Sequence, residues 1–272
     1  MTIAPADRSA AAARMRRLIP LAKSVARSAG ISLERYPPIN TPPHHLRYLT
    51  RQLGINWVLD VGAHEGEYVG LLRRHVRFTG RIASFEPSAE SFAKLAAACA
   101  GDRRWRGYAY ALGRDPGYAE LGLFGMSQLN SLLSPSSYGV EVFPTLGSPT
   151  ATQKVEVCRL DEIFDRVVGD TPDPRVLLKI DTQGYDLRVL EGAAGVLDRV
   201  LALQVEVPVK PIYEGMAPLP ELLGFLGELG FELTGVFPLA RDPDHLRLLE
   251  LDCILYRPAA ATGGRSRDGA RG

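Results

Sequence analysis

The chain has 272 residues, of which 46% are hydrophobic and 23% charged, enough apolar content for one large or two small domains. Its formal net charge of +1 gives no overall attraction to polyanions, so we expect no nucleic-acid partner. The three cysteines are widely separated, and no apolar run approaches the roughly 20 residues that cross a bilayer. These features predict a reduced, cytoplasmic protein.

The N-terminal segment is basic, since Asp7 is its only acidic residue before Glu34. We predict a helical extension over residues 1–50, a folded domain over 51–258 and a disordered tail over 259–272. The extension is either a solvated helix, which the lack of aromatic anchors favours, or a weak contact with an anionic membrane surface. Its basic residues are Arg8, Arg14, Arg16, Arg17, Lys23 and Arg27.

From Trp57 onward, strand and helix patterns alternate along the chain. Predicted strands of the main sheet are 57–61, 81–86, 106–112, 176–181, 202–207, 231–237 and 248–256, and inserted strands are 118–124 and 155–158. Predicted helices cover 44–52, 66–75, 89–99, 161–167 with Asp161 as its cap, a segment opened by Gly184, and 219–229. This alternation predicts an α/β fold with a seven-stranded, mostly parallel sheet and helices on both faces. Residues 134–150 are rich in Ser, Pro and Gly, and we expect a long loop that covers a substrate.

A ligand crevice is predicted where the first two strands end. The stretch 58–66, VLDVGAHEG, places Asp60 before Gly62 and Gly66, and Glu86 ends the next strand. Glycines at these positions allow a sharp turn and close approach of a ligand, and a carboxylate at the second strand tip can accept two ribose hydroxyls. No Gly-x-Gly is present, and Asp60 would repel a phosphate. Its charge suits an ammonium group instead, such as the amino-acid end of S-adenosylmethionine.

Two further carboxylates follow later strands. Asp181 and Glu206 end the strands 176–181 and 202–207, so they belong at the same edge of the sheet as Asp60. Lys179 faces the same side as Asp181 and is expected to pair with a carboxylate, because a buried unpaired lysine is costly. In a methyl transfer to a hydroxyl, we expect Asp181 to orient or deprotonate the acceptor, with Glu206 or His64 as second candidates. Helix capping by Asp181 and a solvated turn for His64 remain alternatives.

No metal ligands are predicted. Carboxylates alone can hold Mg²⁺, but no cluster in the sequence has the spacing that would indicate a metal site.

The chain resembles the FkbM family of S-adenosylmethionine-dependent methyltransferases over about residues 56–257. The segments that carry the resemblance are 58–66 (VLDVGAHEG), 84–87 (SFEP), 130–132 (NSL) with 159–162 (RLDE), and 178–192 (LKIDTQGYDLRVLEG).

The resemblance implies a class I, Rossmann-like methyltransferase domain over 51–258 that methylates hydroxyl groups, often on sugars, glycans or polyketide-type natural products. It also implies S-adenosylmethionine as cofactor, with the methionine part near the first turn, the ribose at Glu86 and the adenine beside Ala111 and Leu112. Many relatives carry Glu where this chain has Gln183, so Gln183 receives no catalytic role. The candidate cofactor-binding residues are Asp60, Gly62, Ala63, Gly66, Glu86, Ala111 and Leu112.

Two other functions stay open at this point. One is a catalytically silent nucleoside-binding scaffold, against which the carboxylates Asp181 and Glu206 argue. The other is an NAD-linked oxidoreductase, which the missing Gly-x-Gly and Asp60 disfavour. The sequence does not identify the acceptor, which we expect to be a small molecule or a glycan.

Overall fold

The computed structural model describes residues 20, 22–30, 38–242 and 246–258. The chain divides into two compact units, Met1–Thr41 and Pro42–Gly272. In the first, residues 22–28 are helical, and Lys23 and Arg27 belong to this helix. The predicted tail 259–272 and the basic residues before Lys23 lie outside the described residues, so the predicted extension and tail stay predictions. None of the described helices is long and apolar enough to span a membrane.

Among the described residues of the larger unit, ten strands form two sheets. They are β1 (Trp57–Val61), β2 (Arg81–Phe85), β3 (Trp105–Tyr108), β4 (Ala111–Leu112), β5 (Gly117–Leu123), β6 (Ala151–Cys158), β7 (Val176–Ile180), β8 (Val200–Pro208), β9 (Glu232–Arg241) and β10 (Leu248–Tyr256). The main sheet has seven strands in the order β3-β2-β1-β7-β8-β10-β9, and β10 runs antiparallel to both of its neighbours. The prediction of a seven-stranded, mostly parallel sheet is confirmed.

The central strands are apolar because both of their faces are covered. Every residue of β1 and β7 is buried, which is typical of parallel strands between two helical layers. Leu59 and Leu178 belong to the core on one face, and Val58 and Leu177 to the core on the other. Side-chain alternation along each strand therefore supplies two separate cores.

Helices cover both faces of the main sheet, as predicted. They are α1 (Pro42–Gln52), α2 (Glu67–Leu71, continued by a π-helical turn Leu72–Val76), α3 (Ala89–Cys99), α4 (Ser137–Val142), α5 (Leu160–Val168), α6 (Asp186–Gly192) and α7 (Leu219–Glu228). Helices α1, α2 and α3 pack on one face, and α5, α6 and α7 pack on the other. The predicted boundary after residue 50 falls within α1, whose Leu46 and Leu49 are buried.

The predicted third strand, 106–112, is divided in the structure. β3 ends at Tyr108, and Ala111 and Leu112 form β4, which pairs with β6 in a three-stranded sheet of order β4-β6-β5. β3 is an edge strand of the main sheet, so no neighbour on its outer side holds the chain there. Pairing of Leu112 with Cys158 draws the chain into the small sheet instead.

The segment 134–150 is not the uninterrupted loop that its composition predicted. It contains α4 and a short 3₁₀ turn, Pro144–Leu146. Ser136 caps α4 by accepting a hydrogen bond from the N–H of Gly139 at 3.0 Å. Tyr138 and Leu146 pack with Tyr213 in a third apolar cluster. Burial of these side chains orders a segment that Ser, Pro and Gly had indicated as irregular.

The predicted cap of α5 was also wrong. The helix begins at Leu160 with Arg159 as its N-cap, and no side chain caps it. Asp161 accepts two hydrogen bonds from the Arg159 guanidinium, at 3.0 and 2.7 Å. A charged partner two residues away thus occupies the carboxylate that would have capped the helix.

Candidate active site

The chain turns sharply after β1. Gly62 has a φ of +73°, and the N–H groups of Gly62 and Ala63 donate to the carbonyl of Phe85 at 3.0 and 3.1 Å. A Cβ atom at position 62 would overlap the carbonyl oxygen of Asp181, so only glycine fits there. The turn therefore exposes bare backbone to the two cavities that lie above it.

Glu86 follows directly after β2 and is held firmly by backbone donors. Its Oε2 accepts a hydrogen bond from the His64 N–H and its Oε1 accepts one from the Ser88 N–H, both at 2.9 Å. Burial raises the pKa of Glu86, and these two backbone donors oppose that rise. Each carboxylate oxygen accepts more than one hydrogen bond. Glu86, which lines the larger cavity, can thus still bind ligand hydroxyls.

Asp60 lies below this site and does not reach it. Its side chain is 0% exposed and lines neither cavity. Lys179 pairs with it across the sheet, and the Lys179 Nζ lies 3.2 Å from Asp60 Oδ1. Ser84 donates a hydrogen bond to Asp60 Oδ2 at 3.1 Å. The expectation that Asp60 itself binds a ligand ammonium is corrected, because its carboxyl group is buried outside both cavities and faces Lys179.

Three carboxylates meet at the carboxyl edge of the sheet. Asp181, Glu206 and Glu250 all line the larger cavity, and Lys179 Nζ lies 3.3 Å from Asp181 Oδ2. Burial raises the pKa of Asp181, but the Lys179 charge and a hydrogen bond from Glu206 outweigh it, so this pKa is lowered. Burial and the charges of Asp181 and Glu250 raise the pKa of Glu206 well above its usual range. The two pKa shifts have opposite directions, so Asp181 is the more acidic carboxyl group of the pair.

Asp181 does not cap a helix. The N-cap of α6 is Tyr185, and no side chain there accepts a capping hydrogen bond. The alternative role for Asp181 is thereby removed, and its carboxylate stays available to the cavity.

His64 stands in the wall between the two cavities, which it lines on both sides. It adopts a φ of +47°. The ring Nδ1 lies 3.1 Å from Glu67 Oε1, and Nε2 lies 2.8 Å from Ser127 Oγ. Both ring nitrogens therefore have partners, and His64 is not the solvated turn residue of the alternative interpretation.

The two cavities adjoin above the ends of β1, β7 and β8. The larger, about 520 Å³, extends from Glu86 at one end to Glu250 at the other. The smaller, about 390 Å³, lies on the side of α2 and is lined by Tyr68, Lys179 and Asp252, among others. Both cavities are lined by Gly62, His64, Glu67, Asp181 and Glu206.

The structure separates the remaining predicted cofactor residues. Ala111 and Leu112 line the larger cavity from β4 of the small sheet, and Ala63 lines the smaller. Gly66 lines neither cavity. It is the N-cap of α2 with a φ of +98°, and a Cβ there would lie 3.1 Å from Leu95. Gly66 thus allows the close packing of α2 against α3.

Sequence reasoning missed the acidic residues of β10. Glu250 and Asp252 are 9% and 6% exposed, and burial raises the pKa of Asp252 to about 7. They stand at alternate positions of β10, so they point to one face of the sheet. The alternation in Leu249-Glu250-Leu251-Asp252 was the available signal, but it equally indicates a strand with one solvated face.

No group of three or more His, Cys, Asp or Glu side chains in the described ranges 38–242 and 246–258 is arranged to hold a metal ion.

The family model described as methyltransferase FkbM domain matches residues 60–233. This match spans the turn after β1, the ends of β2, β7 and β8, and the small sheet between them. The chain belongs to the FkbM methyltransferase family. No curated protein matches it in sequence.

Solved methyltransferase structures resemble the chain at low identity. An FkbM methyltransferase from Methylobacillus flagellatus KT has 15% identity and a TM-score of 0.47, covering 74% of this chain and 43% of its own. An rRNA methylase from Streptococcus thermophilus has 11% identity and a TM-score of 0.42, covering 80% and 98%. Magnesium protoporphyrin IX methyltransferase from Synechocystis PCC 6803 has 10% identity and a TM-score of 0.41, covering 79% and 80%.

The chain thus spans less than half of the length of the Methylobacillus flagellatus protein. These likenesses concern the fold alone. The main sheet, doubly wound about β1 with an antiparallel β10 beside β9, is the sheet of the class I methyltransferase fold.

Proposed function

We propose that the chain is an S-adenosylmethionine-dependent O-methyltransferase whose acceptor is a hydroxyl group of a sugar, a glycan or a polyketide-type natural product. The observation that carries the proposal is Asp181, held 3.3 Å from the Lys179 ammonium, beside Glu206 and in the same cavity as Glu86. One end of this cavity suits a nucleoside, and the other suits removal of a proton from a hydroxyl.

The residues of the larger cavity fit the nucleoside part of the cofactor. Glu86 can accept hydrogen bonds from both ribose hydroxyls, and Ala111 and Leu112 supply an apolar wall for the adenine. The bare backbone at Gly62 permits close approach. S-adenosylmethionine, when bound, supplies a methyl group activated by its sulfonium.

The ammonium end of the cofactor needs acceptors other than Asp60, which is buried against Lys179. Glu67 and Asp181 line both cavities near the turn. We infer that the amino-acid end lies toward the smaller cavity, where these two carboxylates can attract a positive charge.

An acceptor hydroxyl becomes a better nucleophile as it loses its proton, and Asp181 is the ionised group placed to take it. The Asp181 side chain is 36% exposed, so it is open to the cavity. Glu206 lines the same cavity and is the second candidate, with a pKa raised by burial and by the charges of Asp181 and Glu250. His64 holds the side chains of Glu67 and Ser127 in the cavity wall through hydrogen bonds to its two ring nitrogens.

The test is intact-mass analysis of an acceptor panel incubated with the full chain and a methyl-labelled donor. We predict a labelled product from at least one hydroxyl-bearing acceptor, and a loss of about 10²-fold or more in rate for Asp181→Asn. Asp165→Asn is the matched control, because Asp165 pairs with Arg199 at the surface with 84% of its side chain exposed.

Full turnover by Asp181→Asn would remove Asp181 from its role. Tight binding of S-adenosylmethionine without any labelled product would favour the catalytically silent scaffold. Binding of NAD in its place would favour an oxidoreductase. The cytoplasmic location and a weak membrane contact through the basic N-terminus stay predictions.

A further inference from the structure

Lys179 is the buried lysine of the candidate site. Among the described residues that line either cavity, Lys179 is the only lysine or arginine. Its side chain is 8% exposed, and it rises from the middle of the sheet on β7. The carboxylates of the site therefore depend on one buried positive charge.

The Lys179 ammonium makes three contacts. It donates a hydrogen bond to the Gly62 carbonyl at 2.9 Å, and it lies 3.2 Å from Asp60 and 3.3 Å from Asp181. The face of Tyr68 covers the ammonium at 5.4 Å. One hydrogen bond and two ion pairs thus hold Lys179 within the protein, and its role in the site is exerted through Asp181 and the turn after β1.

Five carboxyl groups on other elements interact with Asp181. They are Asp60 on β1, Asp186 at the start of α6, Glu206 on β8, and Glu250 and Asp252 on β10. The His64 ring and Glu67 line the same two cavities as Asp181. Each negative charge nearby disfavours ionisation of Asp181. Lys179 is the positive charge that opposes them.

The same ammonium also ties the turn after β1 to β7. Gly62 approaches the backbone of Asp181 so closely that a Cβ would overlap it. Lys179 holds the Gly62 carbonyl from below and Asp181 from the side. One side chain therefore fixes the glycine turn and the candidate base relative to each other.

We propose that Lys179 is a positioning residue that keeps Asp181 ionised and locks the turn after β1 against it, an inference that rests on the proposed function. Asp60 is buried beside Lys179 and does not meet the amino-acid end of the cofactor. Asp181 and Glu67, which line both cavities, are the carboxylates that attract its ammonium group.

The direct test is a pH titration of the aspartate carboxyl carbons by ¹³C NMR in the full chain. Asp181→Asn identifies the Asp181 signal by its loss. In the wild-type chain we expect Asp181 to titrate below the ordinary aspartate value. In Lys179→Met, which keeps an unbranched side chain of similar length, we expect its midpoint to rise by about one pH unit or more.

A second variant separates charge from folding. Lys179→Met leaves Asp60 buried with the Ser84 hydroxyl but without its cation, which is costly, so the double variant Asp60→Asn/Lys179→Met removes that carboxylate as well. The double variant should retain the fold, yet its Asp181 midpoint should stay about one unit or more above the wild-type value. The acid limb of the kcat/KM profile should move to higher pH by the same amount, because Asp181 acts in its ionised form.

An Asp181 that titrates in the wild-type chain at or above the ordinary value would overturn the inference, as would an unchanged midpoint in either folded variant. If both variants fail to fold, the wild-type titration alone decides. The NMR measurement needs no turnover. The absence of methyl transfer to every acceptor would therefore contradict the proposed function while leaving the role of Lys179 measurable.

Discussion

Glu86 shows how a single carboxylate can be prepared for a ligand. Its two oxygens each accept one backbone hydrogen bond, which fixes the carboxylate at the edge of the larger cavity. The backbone donors come from residues on the turn after β1 and from the start of α3. The proposed ribose site is therefore built jointly by two βα connections.

We predict that Glu86→Gln weakens S-adenosylhomocysteine binding about tenfold or more, since hydrogen bonds to charged groups contribute about 1.5–3 kcal/mol. The new amide also places a donor against a backbone N–H. Titration calorimetry measures the effect. Glu90→Gln is the control, because Glu90 is an exposed partner of Lys94 with 80% of its side chain accessible. Equal affinity of Glu86→Gln and wild type would contradict the assignment.

Asp252 should make stability depend on pH. Burial raises its pKa from 3.8 to about 7, so between these values the folded chain holds a proton that the unfolded chain has lost. Stability should fall as pH rises through this window and level off above it. Between pH 5 and pH 8 the wild type should lose roughly 2–3 kcal/mol more than Asp252→Asn. Urea unfolding at both pH values tests this, and equal losses in the two proteins would refute it.

At the scale of elements, the turn after β1 is the most constrained connection. Gly62→Ala should destabilise the chain by more than roughly 2 kcal/mol, because φ is positive and the new methyl group meets the backbone of Asp181. Cofactor binding should be lost with it. Gly101→Ala is the matched control, since a Cβ there meets nothing within 4 Å. Similar unfolding midpoints for the two variants would show that the turn tolerates a side chain.

Helix α1 should behave as part of the fold. Leu46 is 0% exposed and packs in the same core as Val58 and Leu177, so Leu46→Ala should cost about 2–5 kcal/mol. Tyr48 of the same helix is 62% exposed, and Tyr48→Ala should change stability by less than about 0.5 kcal/mol. Chemical denaturation compares them. A small effect of Leu46→Ala would place α1 outside the cooperative unit.

The elements that the sequence predicted well are those with a strong local signal. The run 176–180 is apolar except for Lys179, and 89–99 has a helical repeat that follows the capping Ser88. The divided third strand and the ordered segment 137–146 depend on distant partners, Cys158 and Tyr213. Local patterns do not contain that pairing.

Only part of the candidate site could be predicted from the sequence. Strand tips in a parallel sheet meet at one edge, so Glu86, Asp181 and Glu206 could be placed together from their positions alone. The partner of Asp60 depends on the register between β1 and β7, which sets Lys179 beside it. The residues of either strand alone do not give that register. Glu250 enters the site on an antiparallel strand, which reverses the end that faces the cavity.

At the scale of the whole molecule, the cavities lie where the sheet reverses its winding. β1 has β2 on one side and β7 on the other, so the connections that leave these strands diverge and open a crevice above β1. Residues more than a hundred positions apart, such as Asp60 and Lys179, become neighbours there. The small sheet and α4 close the crevice from outside through residues such as Ser131 and Phe143.

We propose that this crevice binds an S-adenosyl nucleoside. Titration calorimetry of the full chain with S-adenosylhomocysteine, with NAD as the comparison ligand, tests this directly. We predict one molecule of S-adenosylhomocysteine bound per chain, a lower affinity in Glu86→Gln, and no binding of NAD. Absence of binding at saturating S-adenosylhomocysteine, or tight binding of NAD in its place, would contradict it.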